Sequence, residues 1–166
     1  MTKTYKKLVL AALFAALACI MTMIIQIPAP TGYVNLGDCA VLLGAWVLGP
    51  VWGGAAAGLG TMLADILNGW ASYAPATFVI KFAMAAVAAV IFRGAGKKRW
   101  GMLLGAMAAE LLMAGGYFLY ESLVLGVGAA ALASVPANLV QGAVSVAAGV
   151  ATAVLLDRGG VLDRLK

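Results

Sequence analysis

The sequence has few charged residues and no histidine. Asp, Glu, Lys and Arg make up 10% of the chain, whereas a soluble domain usually devotes about 25% of its residues to these types. Hydrophobic residues make up 64% of the 166 positions, which is more apolar surface than a soluble fold of this length buries in its core. The composition therefore excludes an ordinary soluble domain and predicts an integral membrane protein.

The missing residue types also exclude several site chemistries. Without histidine, Cys19 and Cys39 do not form a metal site, and their apolar surroundings favour core packing. No nucleophile is paired with a base, so an intramembrane enzyme using Asp65, Glu110 and Glu121 is a weak hypothesis. The basic residues are not interleaved with stacking aromatics, which argues against nucleic-acid binding. The sequence has no continuous relay of ionisable residues, which argues against a proton channel or pump. It also lacks an ATP-binding motif, so uphill transport would need energy from a partner.

Apolar segments recur along the whole chain, and a membrane-spanning helix needs about 20 such residues. The predicted helices lie near 7–26, 37–49, 51–68, 76–93, 100–124 and 131–156. The first apolar run is too long for a cleavable signal peptide, and the segments lack the alternation of barrel strands. We therefore predict an all-α integral membrane protein, a six-transmembrane-helix bundle that forms a single membrane domain over residues 1–166.

The basic residues predict the topology. Ten of the eleven Lys and Arg residues lie before the first predicted helix, between the fourth and fifth, or after the sixth, counting Lys7 and Arg93 at the helix ends. The loops at 27–36, 69–75 and 125–130 contain none. Because positive charge is retained on the cytoplasmic side, we expect both termini to be cytoplasmic and these three loops to be outside.

The second predicted helix is too short to cross a bilayer. Positions 38–49, which end at the Gly49-Pro50 turn, provide only 12 residues, or about 18 Å of helix, against a hydrocarbon core of about 30 Å. The preceding segment IPAPTGYVNLGD contains two prolines and is expected to be non-helical. Irregular backbone at membrane depth is tolerated only against protein or a water-filled cavity. The sequence thus predicts an outward-facing cavity with a loop folded over it; the alternative is a long loop on the surface.

Polar residues in the outer parts of the other helices predict a site in this cavity. Ionisable residues within a membrane are costly and suggest function, and at about 100° per residue Glu110, Tyr117 and Glu121 share one helical stripe. A small, flat, hydrogen-bonding solute would fit such a polar cup. The alternative is that Asp65 and Lys81 form a buried ion pair, with the neighbouring amides as interhelical hydrogen bonds. The candidate solute contacts are Asn35, Asp65, Trp70, Tyr73, Lys81, Tyr117, Glu121, Asn138 and Gln141.

The lone ammonium of Lys81 needs a partner at this depth. Its expected neighbours are the carboxylates of Asp65 and Glu121 in the same cup, or an acceptor on the solute.

Two long motifs resemble a known family. The segments KLVLAALFAALACI and VNLGDCAVLLGAWVLGPVWGGAAAGLGTMLADILNGWASYAPATFVIK, together with the six-helix layout, resemble the substrate-binding S component of an energy-coupling factor (ECF) vitamin transporter. The resemblance is strongest over residues 7–93 and, within the family, to pyridoxine-type and hydroxymethylpyrimidine-type members. Riboflavin-type members share the Gly37-Asp38 and Gly49-Pro50 pairs but differ in the ADILNGW and APATF part.

The resemblance implies a function and partners. The family binds substrate near the outer surface, between the last three helices and the loops after the first and third. It works with a membrane coupling subunit and two cytoplasmic ATPases, and the S component topples in the bilayer to release substrate. ATP is used by those partners, so no cofactor is expected on this chain. The implied location is the plasma membrane of a prokaryotic cell.

The resemblance also implies a docking surface and a solute. The small residues Ala11, Ala12, Ala15 and Ala16 match the motif through which S components dock on the coupling subunit. The best candidate solute is pyridoxine (vitamin B6), with riboflavin and hydroxymethylpyrimidine as alternatives. A different class of function, a non-transporting structural subunit of a membrane complex, also fits the sequence, with the polar cup serving as packing.

Overall fold

The computed structural model describes residues 3–29 and 32–160. The described residues form six α-helices and one pair of short strands, which confirms the predicted all-α fold and its helix count. Four apolar stretches are long enough to cross a membrane, namely Thr4–Ile24, Ala74–Gly94, Arg99–Val124 and Gly128–Arg158. The helices are α1 (Lys3–Ile24), α2 (Gly37–Leu48), α3 (Pro50–Leu67), α4 (Ala74–Gly94), α5 (Arg99–Leu119) and α6 (Val135–Arg158), and the strands are β1 (Ile27–Ala29) and β2 (Gly32–Val34).

The short helix α2 occupies the centre of the bundle. It contains 12 residues, almost all of them buried, and it contacts α1, α3, α4 and α6. Gly49 ends it with a φ of 86°, a conformation that is strained for residues with a Cβ. Pro50 then begins α3, where its fixed φ and missing N–H suit the first helical position.

The segment between α1 and α2 is a hairpin rather than irregular backbone. Strands β1 and β2 are antiparallel, with Ile27 opposite Val34 and Pro28 opposite Tyr33. Pro28 takes part in this pairing although it has no backbone N–H to donate. Pro30 lies outside the described residues.

The fifth and sixth predicted helices are each interrupted near the same end of the bundle. After Leu119, α5 continues as a π-helical turn, Tyr120–Val124, and α6 is preceded by a 3-10 helix, Gly128–Ala133. A proline in the first turn of α6 fixes where the regular α-helix begins. Such changes of helix type alter which face a side chain occupies, and π-helical turns occur frequently at functional sites.

The two ends of the bundle differ in composition. At one end, Arg99 approaches Asp157 at 3.9 Å, and the guanidinium of Arg93 donates to the carbonyl oxygen of Leu48 at 3.5 Å. These contacts place Arg93 and Arg99 at the same end of the bundle as the end of α6, whereas Lys81 of α4 lies at the opposite end. Arg164 and Lys166 lie outside the described residues. The hairpin and the loops after α3 and α5 form the opposite end.

Small residues allow α1 and α3 to pack closely. A Cβ on Gly60 would lie 2.2 Å from the carbonyl oxygen of Ala15, so only glycine fits there. Ala11 is 8% exposed and packs with Leu48 and Ala56. Ala11 and Ala15 therefore both pack against residues of this chain. Ala12 and Ala16 are exposed on the other face of α1.

Candidate solute-binding site

A cavity opens at the end of the bundle that carries the hairpin. It encloses about 570 Å³ of empty space, counting the open space at its mouth. The structure brings all nine predicted contact residues to its lining. Five further lining residues were missed by the sequence reasoning: Thr22, Tyr33, Thr61, Thr77 and Ser134.

Aromatic rings form a continuous series along the cavity. The ring centroids are 6.0 Å apart for Tyr33 and Trp70, 5.8 Å for Trp70 and Tyr73, and 6.5 Å for Tyr73 and Tyr117. The pairs are tilted or edge-to-face, the arrangements that aromatic side chains favour. The cavity therefore presents several ring faces and edges to a flat solute.

Lys81 is paired with Asp38, a residue that the sequence reasoning did not assign to the site. The ammonium of Lys81 contacts Oδ1 of Asp38, and both side chains are buried. The alternative interpretation, an ion pair between Lys81 and Asp65, is not formed, because the buried first turn of α2 brings Asp38 to Lys81 instead. An acidic residue in that position is also favoured by the N-terminal end of the helix dipole. Nζ of Lys81 lies 5.6 Å from the ring centroid of Tyr117.

Gln141 and Asn35 complete the surroundings of Asp38. The side-chain amide of Gln141 donates to Oδ2 of Asp38, and its oxygen accepts from the backbone N–H of Asn35 at 2.8 Å. The side-chain oxygen of Asn35 accepts in turn from the backbone N–H of Gly37 at 2.8 Å. The network joins the hairpin, α2, α4 and α6, so both oxygens of Asp38 are occupied by donors within the protein.

Asp65 lies at the end of α3 beside the hairpin. Its Oδ1 accepts a hydrogen bond from the hydroxyl of Tyr33 at 2.8 Å, and the side-chain amide of Asn68 approaches the same hydroxyl at 3.5 Å. Burial raises the pKa of Tyr33 well above its usual range, so the phenol keeps its proton and remains a donor. The hairpin thus supplies one partner of Asp65, and the side chain of Thr77 is another.

Glu121 is held by the two irregular helical turns. It is buried within the π-helical turn, where its Oε2 accepts from the hydroxyl of Ser134 at 2.6 Å. Its Oε1 accepts from the hydroxyl of Tyr73 at 3.4 Å, and burial raises the pKa of Tyr73 to about 12. Ser134 immediately follows the 3-10 helix, so its position depends on a local conformation that helical periodicity does not reveal.

The remaining lining residues complete the polar surface. The hydroxyls of Thr77 and Tyr117 are 3.0 Å apart, and Asn138 lines the cavity from the first turn of α6. Glu110 shares a stripe with Tyr117 and Glu121 in sequence but lies deeper, in a separate groove between α5 and α6. Both of its carboxylate oxygens are buried without a hydrogen-bond partner among the described residues.

Comparisons with known proteins agree with this architecture. A family model described as "ECF-type riboflavin transporter, S component" matches residues 2–157. An uncharacterized protein in the gap 3′ region of Pyrococcus woesei is 35% identical over 114 residues, which cover 67% of this chain and 75% of that protein. A solved structure of the S component of a bacterial ECF transporter superposes with a TM-score of 0.74 at 19% identity, covering 94% of this chain and 98% of that one. The match across nearly the whole sequence places the chain in the family of ECF-type riboflavin transporter S components, and it is accordingly a multi-pass membrane protein.

Proposed function

We propose that this chain captures a small, ring-shaped B-type vitamin in the cavity at the hairpin end and delivers it inward with an ATPase-driven coupling module. The proposal is based on the types of residue that line the cavity. Each lining residue of the described chain is either aromatic or bears a hydroxyl, an amide or a charge. Ligand sites use a few well-placed polar groups to fix orientation, and aromatic rings provide surfaces for a flat solute.

Pyridoxine is the first candidate, on the sequence resemblance. Pyridoxine has one nitrogen-containing ring with hydroxyl substituents, which suits hydroxyl, amide and carboxylate partners on all sides. Riboflavin is the second candidate, because the matching family is described by that vitamin. Hydroxymethylpyrimidine is a third candidate, on the sequence resemblance.

The distribution of charge supports an outward-facing cavity. The loops at the cavity end lack Lys and Arg, whereas basic residues flank the opposite ends of the helices. The positive-inside rule then puts both termini in the cytoplasm and the cavity outside. The energy for uptake comes from ATP used by two partner ATPases, so the chain itself needs no cofactor. The solute is released inward by toppling of this subunit in the bilayer.

Ala12 and Ala16 are the proposed contact with the membrane coupling subunit. They are exposed one turn apart on α1, and small residues at this spacing let a partner helix approach closely. Ala11 and Ala15 are occupied by contacts with the chain's own residues.

A thermal-shift experiment on the purified protein tests the substrate proposal. Pyridoxine should raise the midpoint of unfolding in a concentration-dependent manner, because a ligand that binds only the folded state stabilises it. Riboflavin and hydroxymethylpyrimidine are measured beside it. A shift with riboflavin alone would reverse the order of candidates, and no shift with any B-type vitamin would favour a structural subunit.

A further inference from the structure

Three side chains in the lining of the cavity belong to charged residue types. These are Asp65, Lys81 and Glu121. Counted by residue type alone, they combine two negative charges with one positive charge. The hydrogen-bond network changes this sum, because one of the three has a counter-charge outside the lining.

Lys81 contributes little net charge to the cavity. Its ammonium is paired with Asp38, whose side chain is 0% exposed and which is not among the lining residues. The second oxygen of Asp38 accepts from Gln141, so the carboxylate is fully engaged and fixed in place. The opposite charges of the pair partly cancel at a neighbouring site, although the ammonium of Lys81 still interacts electrostatically with Asp65.

Asp65 and Glu121 have hydroxyl partners instead. The oxygens of Asp65 and Glu121 accept from Tyr33, Ser134 and Tyr73. A hydroxyl donor stabilises a carboxylate but does not cancel its charge. Within the described residues, the ion pair at this end of the bundle is the one between Lys81 and Asp38.

We infer that the cavity selects a solute that carries positive charge, such as an ammonium-bearing nitrogen heterocycle, over neutral and anionic forms of the same ring. This inference rests on the proposed function and specifies the class of vitamin form that it takes. The carboxylates of Asp65 and Glu121 accept from the cation in charge-assisted hydrogen bonds, which are stronger than neutral ones. An anionic form of the ring meets two like charges, which disfavour its binding.

A matched series of B6 compounds tests the inference. Pyridoxamine, pyridoxine and 4-pyridoxate share one ring and differ at one substituent, which is an ammonium-bearing methylene, a hydroxymethyl or a carboxylate. Their dissociation constants are measured by titration calorimetry on the purified full chain at neutral pH. Pyridoxamine should bind roughly 10-fold or more tightly than pyridoxine, the ratio expected for one charge-assisted bond, and 4-pyridoxate should bind most weakly.

Variants assign the preference to the two carboxylates. Glu121→Gln and Asp65→Asn keep the size of the side chain and remove its charge, so each should reduce the ratio between pyridoxamine and pyridoxine. Asp157→Asn removes a carboxylate at the opposite end of the bundle, where the Asp157 side chain is 48% exposed, and should leave the ratio unchanged. Thermal unfolding of each variant identifies any loss of folded protein, and the wild-type series tests the preference independently of the variants.

The outcomes separate the two proposals. If pyridoxine or 4-pyridoxate binds as tightly as pyridoxamine, the charge preference is overturned while the vitamin-binding function stands. An unchanged ratio in both carboxylate variants would overturn the assignment to Asp65 and Glu121. Binding of none of the three compounds, or of the neutral vitamin riboflavin alone, would overturn the B6 proposal and the charge inference together.

Discussion

The two ends of the helix bundle use ion pairs in different ways. At the basic end, Arg99 and Asp157 approach at 3.9 Å, with side chains that are 62% and 48% exposed. At the cavity end, Lys81 and Asp38 are paired with side chains that are 3% and 0% exposed. An exposed pair contributes little to stability, whereas a buried pair is sensitive to the loss of either partner. Charge at the basic end thus adds little to stability, and charge at the cavity end is part of the packed structure.

The largest expected effect is that of Asp38→Asn. The change leaves the ammonium of Lys81 buried without a counter-charge, which should lower the free energy of unfolding by about 3–5 kcal/mol. Thermal unfolding of the purified protein measures the loss. The double variant Asp38→Asn with Lys81→Met removes both charges and should recover most of it. A single variant as stable as the wild type would contradict the buried pairing.

A smaller effect is expected for Tyr33→Phe at the same end. The substitution keeps the ring of the aromatic series and removes the donor to Asp65, leaving a buried acceptor short of a partner at a cost of about 1–3 kcal/mol. Tyr5→Phe is the matched control, because Tyr5 is 63% exposed on α1. If both variants unfold at the wild-type temperature, the hydrogen bond from Tyr33 does not stabilise the cavity.

At the basic end, Arg99→Gln should change the free energy of unfolding by less than about 1 kcal/mol. The side chain is exposed and its ion pair is long. The same unfolding measurement as for Asp38→Asn makes the two ends directly comparable. If Arg99→Gln lowered the free energy of unfolding as much as Asp38→Asn, the two ion pairs would not differ in their contribution to stability.

The smallest effect on stability is expected on the exposed face of α1, where function rather than folding should respond. Replacing Ala12 and Ala16 with Leu should leave unfolding and solute affinity near wild type but reduce uptake by the assembled transporter, because close helix approach is lost. Ala11→Leu is the contrasting variant, since overpacking at its buried position should cost about 1–3 kcal/mol. Normal uptake by the Ala12 and Ala16 variant would show that this face is not the docking surface.

The helices and the cavity residues were predictable because depth and helical face follow from simple geometry. A rise of 1.5 Å and a turn of 100° per residue relate Tyr117 to Glu121 and Asn138 to Gln141. All four line the cavity in the structure. The same reasoning predicted a short second helix from the distance between its turn and Asp38.

The partner of Lys81 was not predictable in this way. Helix α2 is buried on nearly every side, so its hydrophobic pattern contains no amphipathic stripe to indicate which face meets α4. Counting residues back from the Gly49-Pro50 turn therefore predicted the depth of Asp38 in the bundle. It did not predict which neighbouring helix the side chain of Asp38 contacts. An acidic residue in the first turn of an otherwise apolar, buried helix was the signal that could have found it.

Tyr33 and Ser134 were missed for a different reason. Tyr33 belongs to a strand of three residues, too short for alternation to be recognised in the sequence. Ser134 follows a 3-10 helix, and continuing the α-helical period through that segment assigns its residues to the wrong faces. In both cases the side chain lies in a connection between two α-helices, whereas the carboxylate that it holds comes from a helix or its extension.

Native mass spectrometry of the purified protein tests the central claim most directly, because it detects a retained solute without prior choice of a ligand. The cavity of polar and aromatic residues predicts one small nitrogen-containing ring compound per chain, with the mass of a B6-type vitamin, and its loss or reduction in Glu121→Gln but not in Asp157→Asn. Protein that retains no small molecule, and gains none when incubated with the B6 compounds, would contradict the account.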